Sequence, residues 1–383
     1  MRQSSRGRVD PFIVMDVMER ARAAEAAGRH IVHMEIGQPG TPAPAGARAA
    51  LVAAMEEGPL GYTVALGLPA LRARIARHYG EWYGVDLDPA RVVVTAGASA
   101  AFVLAFAALF DAGQRVGLGL PGYPSYRHIL KAMSLDPVCF ETAAADRFQP
   151  VPGGLPADLA GLILASPGNP AGTMLSREGL GALLEAARAR AISVVSDEIY
   201  HGIDYGTRAV SALELGDDVY VVNSFSKYFS MTGWRIGWLV VPPDHVRAVE
   251  RLAQNMFICP SHAGQVAALA AFDCMAELEA TRATYAANRA LMLERLPGAG
   301  FPDFAPPDGA FYVYADVSHL TDDSLALSAE ILDRAGVAVA PGVDFDPVRG
   351  RHMLRLSYAG APDEIALGLD RLAEWVSTRE RRG

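Results

Sequence analysis

The chain has 383 residues, which at about 150 residues per domain predicts two or three packed units. Hydrophobic residues make up 51% and charged residues 20%, a globular balance that excludes a disordered or fibrous protein. Lys and Arg total 34 against 43 Asp and Glu, a formal charge of −9, so the basic excess of a non-specific nucleic-acid binder is missing.

The opening run MRQSSRGRVD is polar and basic, and no apolar stretch of signal-peptide length follows before Asp16 and Glu19, so a cytoplasmic location is expected. From Asp10 to Gly28 a proline start, apolar residues at helical spacing and a closing glycine predict a capped helix. A short strand, Ile31 to Ile36, comes next. The densest Pro/Gly cluster, GQPGTPAPAG from Gly37 to Gly46, reads as a crossing between two units. Ala96 to Phe110, the most apolar segment, is too short for a membrane span and predicts a buried helix.

Short apolar runs alternate with helical segments through the middle of the chain: Arg91 to Thr95, Arg115 to Gly119, Gly161 to Ala165, Ile192 to Ser196, Val219 to Asn223 and Ile236 to Val241. Strands so spaced predict a mostly parallel sheet. Toward the end, helical stretches at Ser261 to Arg295, Asp322 to Ala335 and Pro362 to Arg379 surround strands at Phe311 to Tyr314, Val337 to Ala340 and Met353 to Ser357. The expected fold class is α/β: a large domain with a mostly parallel sheet covered by helices on both faces, plus a smaller α+β domain formed from the N- and C-terminal parts. The corresponding boundaries are 1–42, 43–276 and 277–383. Cys139, Cys259 and Cys274 have no metal-ligand spacing and are expected to be buried, reduced thiols.

Several motifs tempt and fail. GLGLPG, Gly117 to Gly122, fits a dinucleotide fingerprint, but Pro121 and Pro124 stand where a helix should open on a pyrophosphate. VVSDE, Val194 to Glu198, resembles a nucleotide-hydrolase metal strand without any phosphate-cradling glycine loop elsewhere. Ser224 and Lys227 have the S-x-x-K spacing of penicillin-recognising enzymes, with no K-T-G to follow. His30 and His33 would point to opposite faces of a strand, so structural roles are expected and no metal site.

One constellation survives. Arg91 to Thr95 runs into Gly97, Ala98 and Ser99; Gly161 to Ala165 runs into SPGNPAG with Asn169; Ile192 to Ser196 runs into Asp197 and Tyr200; Val219 to Asn223 runs into Ser224 and Lys227. In open α/β sheets, ligands bind outside the carboxyl ends of strands, so these groups can converge on one crevice. A helix opening at Gly97 to Ser99 offers N–H groups to a phosphate, and Ser224 and Arg235 add a hydroxyl and a cation. Asp197 suits a protonated ring nitrogen, Asn169 and Tyr200 a ring oxygen, and the Lys227 amine an aldehyde. Phosphate, pyridinium, phenolic oxygen and aldehyde together describe pyridoxal 5'-phosphate.

The ordered strings IGQPG (Ile36–Gly40), GYT (Gly61–Thr63), PGYPSY (Pro121–Tyr126), SPGNPAG (Ser166–Gly172), SDEIY (Ser196–Tyr200), SFSKYFSMTGWRIGW (Ser224–Trp238) and MLRLSYA (Met353–Ala359) cover nearly the whole length. As a set they resemble the class I/II aminotransferase family, fold-type I pyridoxal-phosphate enzymes of the aspartate aminotransferase superfamily. The resemblance implies a transaminase (EC 2.6.1.-) of amino-acid metabolism that moves an amino group between an amino acid and a 2-oxo acid. It implies a Schiff base at Lys227, which also shuttles the substrate proton, with Asp197 on the ring nitrogen and Asn169 and Tyr200 on the ring oxygen. It further implies Tyr123 stacked on the ring, Arg355 clamping the substrate carboxylate with the Gly37 N–H, and Tyr62 reaching a neighbouring subunit's phosphate in a homodimer. No nucleic-acid, membrane or metal partner is expected.

Some bacterial aspartate-using relatives carry a Lys in the turn after the first sheet strand, where this chain has Gly97-Ala98-Ser99-Ala100, a departure that leaves recognition of a second carboxylate unsupported. An apolar mouth of Phe12, Ile13 and Ile36 would suit alanine or larger apolar and aromatic amino acids. The same scaffold supports carbon–sulfur β-elimination, the alternative reaction. A non-enzymatic regulator is disfavoured because no separate DNA-binding unit is apparent.

Overall fold

Strands in the middle of the chain are apolar on both sides, and each side finds a helical cover. The computed structural model describes residues 1–380, so the last three residues of the expected 277–383 unit lie outside it. Seven strands form the larger sheet: β2 (Val92–Thr95), β3 (Arg115–Leu120), β4 (Asp136–Glu141), β5 (Gly161–Ala165), β6 (Ser193–Asp197), β7 (Tyr220–Ser224) and β8 (Gly237–Val240). Their order is β2-β8-β7-β6-β5-β3-β4, and β8 alone runs antiparallel to its neighbours.

The side-chain period of two sorts this sheet into two cores. Leu162 and Leu164 of β5 face one way, onto Leu180, Leu183 and Leu184 of the helix Arg177–Ala189. Ile163 between them joins the opposite core, which contains Phe102 and Phe106 of the helix Gly97–Leu109. Burying each such aliphatic side chain stabilises the fold by roughly 1.5–3 kcal/mol. Near-continuous apolar strands are therefore what a sheet covered on both faces requires, and the expected architecture is the observed one.

The smaller sheet is assembled from distant parts of the chain. β1 (Val32–Met34) pairs in parallel with β11 (Val337–Pro341), which leads to β12 (Met353–Ser357), β10 (Tyr312–Asp316) and β9 (Asp303–Phe304), in the order β1-β11-β12-β10-β9. The amino-terminal helix, Ile13–Ala26, buries Val17 and Ala21 against Ile31, Leu332 and Ala338 of this unit.

Several local features differ from expectation. Pro11 lies outside the first helix, and its first turn is capped from afar: Asp344 Oδ1 accepts from the Ile13 N–H (3.3 Å) and Oδ2 from that of Val14 (3.0 Å). The stretch Ser261 to Arg295 is two helices, His262–Ala271 and Met275–Arg295, broken at Phe272–Cys274. Helices Ala45–Glu57 and Pro69–Tyr83 add to the cover. Strand β4 was not expected: it is an edge strand with Asp136, Cys139 and Glu141 exposed, a place where Pro137 costs no central ladder bond. The three cysteines are free but not buried; Cys139 on β4 is exposed, and Cys259 and Cys274 are partly so. No described helix is long and apolar enough to cross a membrane.

Candidate active site

The sheet brings one row of strand ends to one edge. Asp197, the last residue of β6, is in register with Ala165 at the end of β5 and with Val222 of β7, and Gly237 pairs with both Thr95 and Ser224. Because β8 is antiparallel, its start, with Arg235 two residues before it, reaches the same edge as the ends of the others. Sequence spacing placed Arg235 eight residues after Lys227; the reversed strand is what makes that spacing useful.

Phe225 anchors the loop after β7, buried against Trp238 and Phe229. Its N–H donates to the Ile236 carbonyl (3.0 Å) and its carbonyl accepts from the Met231 N–H (3.0 Å), so the loop folds back on itself. Lys227, on this anchored loop and largely buried, donates from Nζ to the Gly37 carbonyl. Burial, then the charges of Arg355 and Arg235, push its ammonium down to about 7, with Asp197 opposing.

Asp197 is 4% exposed. Desolvation lifts its carboxyl to about 6, against the hydrogen bonds that favour the carboxylate: Tyr126 donates to Oδ2, and the Ile199 N–H donates to Oδ1 (3.1 Å). Tyr200 lies with its ring 5.7 Å from Lys227 Nζ, and its hydroxyl meets that of Tyr312 at 2.8 Å.

Arg355 lies mid-strand in β12 and is 2% exposed. Its guanidinium carbon sits 4.5 Å from the Tyr312 ring centroid and 4.7 Å from that of Phe345. Nη1 donates to Asn169 Oδ1 (3.0 Å), Nη2 to the Glu35 carbonyl, and Nε is buried with no partner among the described residues. An unpaired buried donor is costly, so this edge is set to receive an acceptor.

At the other end, Gly97 takes φ +76°, and a Cβ there would lie 2.3 Å from Arg235 Nη2. Only glycine lets the guanidinium approach the start of the helix Gly97–Leu109, which no side chain caps; Ala98 is buried and Ser99 exposed there. Ser224 spends its proton on the Ile236 carbonyl (3.0 Å) and lies 2.8 Å from Ser226 Oγ, which in turn is 3.4 Å from Arg235 Nη1. Arg235 remains exposed. Tyr123 stands edge-on to Tyr126 (5.3 Å) and Phe12 (5.9 Å).

The crevice thus gathers Lys227, Asp197, Tyr200, Asn169, Tyr123, Ser224, Arg235, Gly97, Ala98, Ser99, Gly37 and Arg355. Tyr62 stands apart, 84% exposed. The contact observed at Gly37 is through its carbonyl, to Lys227, whereas its N–H was the group expected to act.

A family model described as aminotransferase class I and II matches residues 29–372. The chain belongs to the class I and II aminotransferases. It is 43% identical over 385 aligned residues to a valine–pyruvate aminotransferase of Mycobacterium tuberculosis, covering 99% of both chains. It is 31% identical to an aspartate aminotransferase of Geobacillus stearothermophilus, covering 96% of this chain and 97% of that one. A crystal structure of an aminotransferase from Mycobacterium tuberculosis superposes with a TM-score of 0.96 at 43% identity, covering 99% of this chain and all of the other. The protein is a transaminase, EC 2.6.1.-, with the fold of that superfamily, and the carbon–sulfur lyase alternative is not favoured.

Sequence reasoning missed four residues of this aminotransferase site: Tyr126, Ser226, Tyr312 and Phe345. Tyr126 was the most legible, since it lies three residues past Tyr123 on a helix that begins at Pro124, and so shares a face with it. His30 Nε2 lies 3.3 Å from Glu364, and His33 pairs with Glu25 and Glu35. Among the described residues no cluster of His, Cys, Asp or Glu is arranged to hold a metal.

The Lys227 amine carries a testable linkage. The folded chain releases its proton near 7, whereas the unfolded chain keeps it to the ordinary 10.5, so between those values the unfolded state binds more protons and stability rises with pH. Lys227→Met should therefore raise the melting temperature of the cofactor-free protein, by a larger margin at about pH 6.5 than at about pH 9.5. Calorimetry in the two buffers checks this, and a margin growing toward high pH would contradict a desolvated amine.

Proposed function

We propose that this transaminase uses pyridoxal 5'-phosphate tethered at Lys227 and takes short, apolar amino acids as donors, with valine and pyruvate the leading pair. The observation that carries the reading is the buried Lys227 amine, held near neutrality between two arginines and a buried carboxylate.

The residues present fit the cofactor. A glycine cradle at Gly97, the uncapped helix start through Ala98 and Ser99, and the Arg235 side chain with Ser226 beside it suit a phosphate dianion, while Ser224, its proton on the Ile236 carbonyl, stands next to Ser226. Asp197, buried and ionised near neutral pH, calls for a cationic ring nitrogen. Asn169 and Tyr200 offer groups for a ring oxygen, and Tyr123 supplies an aromatic wall. When bound, the cofactor supplies an aldehyde for amines and an electron-accepting ring for the substrate α-carbon.

The chain's own residues do the rest. A neutral Lys227 amine is a base for the substrate's α-proton at ordinary pH. Opposite charges ~4 Å apart interact by roughly 4 kcal/mol at an effective dielectric near 20, about three decades in an equilibrium, which is the scale on which Asp197 can hold a cationic ring. The unpaired Nε of Arg355, beside Nη2, offers a substrate carboxylate a fixed two-point contact.

Phe12 beside Tyr123, and the absence of a lysine after β2, support an apolar side chain; the name of the M. tuberculosis relative points the same way. Residues 43–276 form the cofactor-side unit in this reading, and 1–42 with 277–383 the substrate-side unit. The exposed Tyr62 supports a homodimer in which it reaches the partner's phosphate site.

Borohydride reduction of the holoenzyme followed by peptide mass mapping should place the label on Lys227. The reduced form of the cofactor and the matching 2-oxo acid should accumulate with valine far faster than with aspartate. A label elsewhere overturns the cofactor reading, and ammonia with pyruvate from cystathionine, without half-transamination, overturns the reaction. Arg355→Ala should raise the amino-acid KM at least tenfold while cofactor absorbance is retained; lost cofactor with unchanged KM would refute the clamp. Sedimentation velocity should give a two-chain particle, and an active monomer would refute the role given to Tyr62.

A further inference from the structure

Tyr312 belongs to none of the motifs above, yet it touches three of the groups they supply. It lies on β10 diagonal to Arg355 of β12, two positions from the direct pair Tyr314–Arg355, on the same face of the small sheet. Its ring carries the Arg355 guanidinium at 4.5 Å. Its hydroxyl, on a side chain only 1% exposed, meets the Tyr200 hydroxyl at 2.8 Å. That hydroxyl also fills the space beside Gly37, where a Cβ would come within 2.1 Å of it. Gly37 in turn accepts from Lys227 through its carbonyl.

We propose that Tyr312 is the positioning residue that couples the two ends of the crevice, its ring fixing the Arg355 carboxylate clamp and its hydroxyl orienting the Tyr200 phenol. The inference rests on the roles given to Arg355 and Tyr200 under the function proposed above. Two separable parts of one side chain do the two jobs. A cation seated on a ring face is held in plane, and Phe345 on its other side leaves the guanidinium only its edge to offer. A hydroxyl that donates to the Tyr200 oxygen polarises that phenol and makes it the stronger donor toward an anionic ring oxygen. Once the Tyr200 proton is committed to a ligand, Tyr312 must be the donor of the pair.

The parts predict different losses. Tyr312→Phe keeps the ring and removes the hydroxyl, so the pH midpoint of the bound cofactor's visible absorbance should rise by several tenths of a unit. The dissociation constant for isovalerate, a carboxylate with valine's side chain and no amine, should stay within about twofold, because the cation keeps its aromatic seat. Tyr312→Met fills the core space but has no π face. It should show the same midpoint shift and weaken isovalerate about tenfold, the scale of a desolvated cation–ring contact.

An unmoved midpoint in Tyr312→Phe overturns the proposal, and so does equal isovalerate affinity in the Phe and Met variants. Should the Met variant fail to fold, the Phe variant still decides through its midpoint and its isovalerate affinity, where a tenfold loss would overturn the division of labour. The wild-type protein is read first. No cofactor band there defeats the function beneath the inference, whereas a normal band with unresponsive variants defeats the inference alone.

Discussion

The site depends on an amine kept out of water between like charges. Lys227 is pushed toward neutrality first by burial and then by Arg355 and Arg235, while Asp197 draws it the other way. An ammonium in that position is costly, so the free base becomes accessible at ordinary pH. The arginines are held for other purposes, one at the helix start near Gly97 and one between two aromatic rings. Their joint effect on the lysine follows from two cations facing one amine.

Such an arrangement demands strand ends that agree in height. The parallel strands β5, β6 and β7 deliver Asn169, Asp197 and Lys227 at their carboxyl ends, and antiparallel β8 delivers Arg235 at its start. The small sheet contributes Arg355 and Tyr312 from the middles of strands, where alternation fixes which face they occupy. Loops carry the reactive groups, but buried anchors such as Phe225 hold those loops to the sheets.

Much of this was legible in the amino-acid sequence, for a physical reason. Strands buried on both faces are written as unbroken apolar runs, and a polar residue directly after such a run, as at Asp197 or Ser224, marks the edge of a sheet. Lys227 was found because its neighbours at three and eight residues narrow its chemistry. Tyr312 was hidden because an aromatic residue inside a strand looks like any other core residue; its value comes from a neighbour forty-three positions away, Arg355. The hydrogen bond between Asn169 and Arg355 likewise exists only in three dimensions. The break at Phe272–Cys274 was invisible because apolar residues continue at helical spacing across it. Strand β4 was invisible because an edge strand buries too little to leave a pattern.

The cap of the first helix ties these distant pieces together. Asp344 receives the Ile13 and Val14 N–H groups, while its neighbour Phe345 presses on the Arg355 guanidinium and Phe12, just outside the helix, borders Tyr123. Under the proposed function, grip on an acid and width of the entrance share a single tether, so one is not easily retuned without disturbing the other. Divergence in substrate preference among chains built this way should concentrate in the short connection after β11 and in the residues flanking the first helix, rather than in the sheet that bears the lysine.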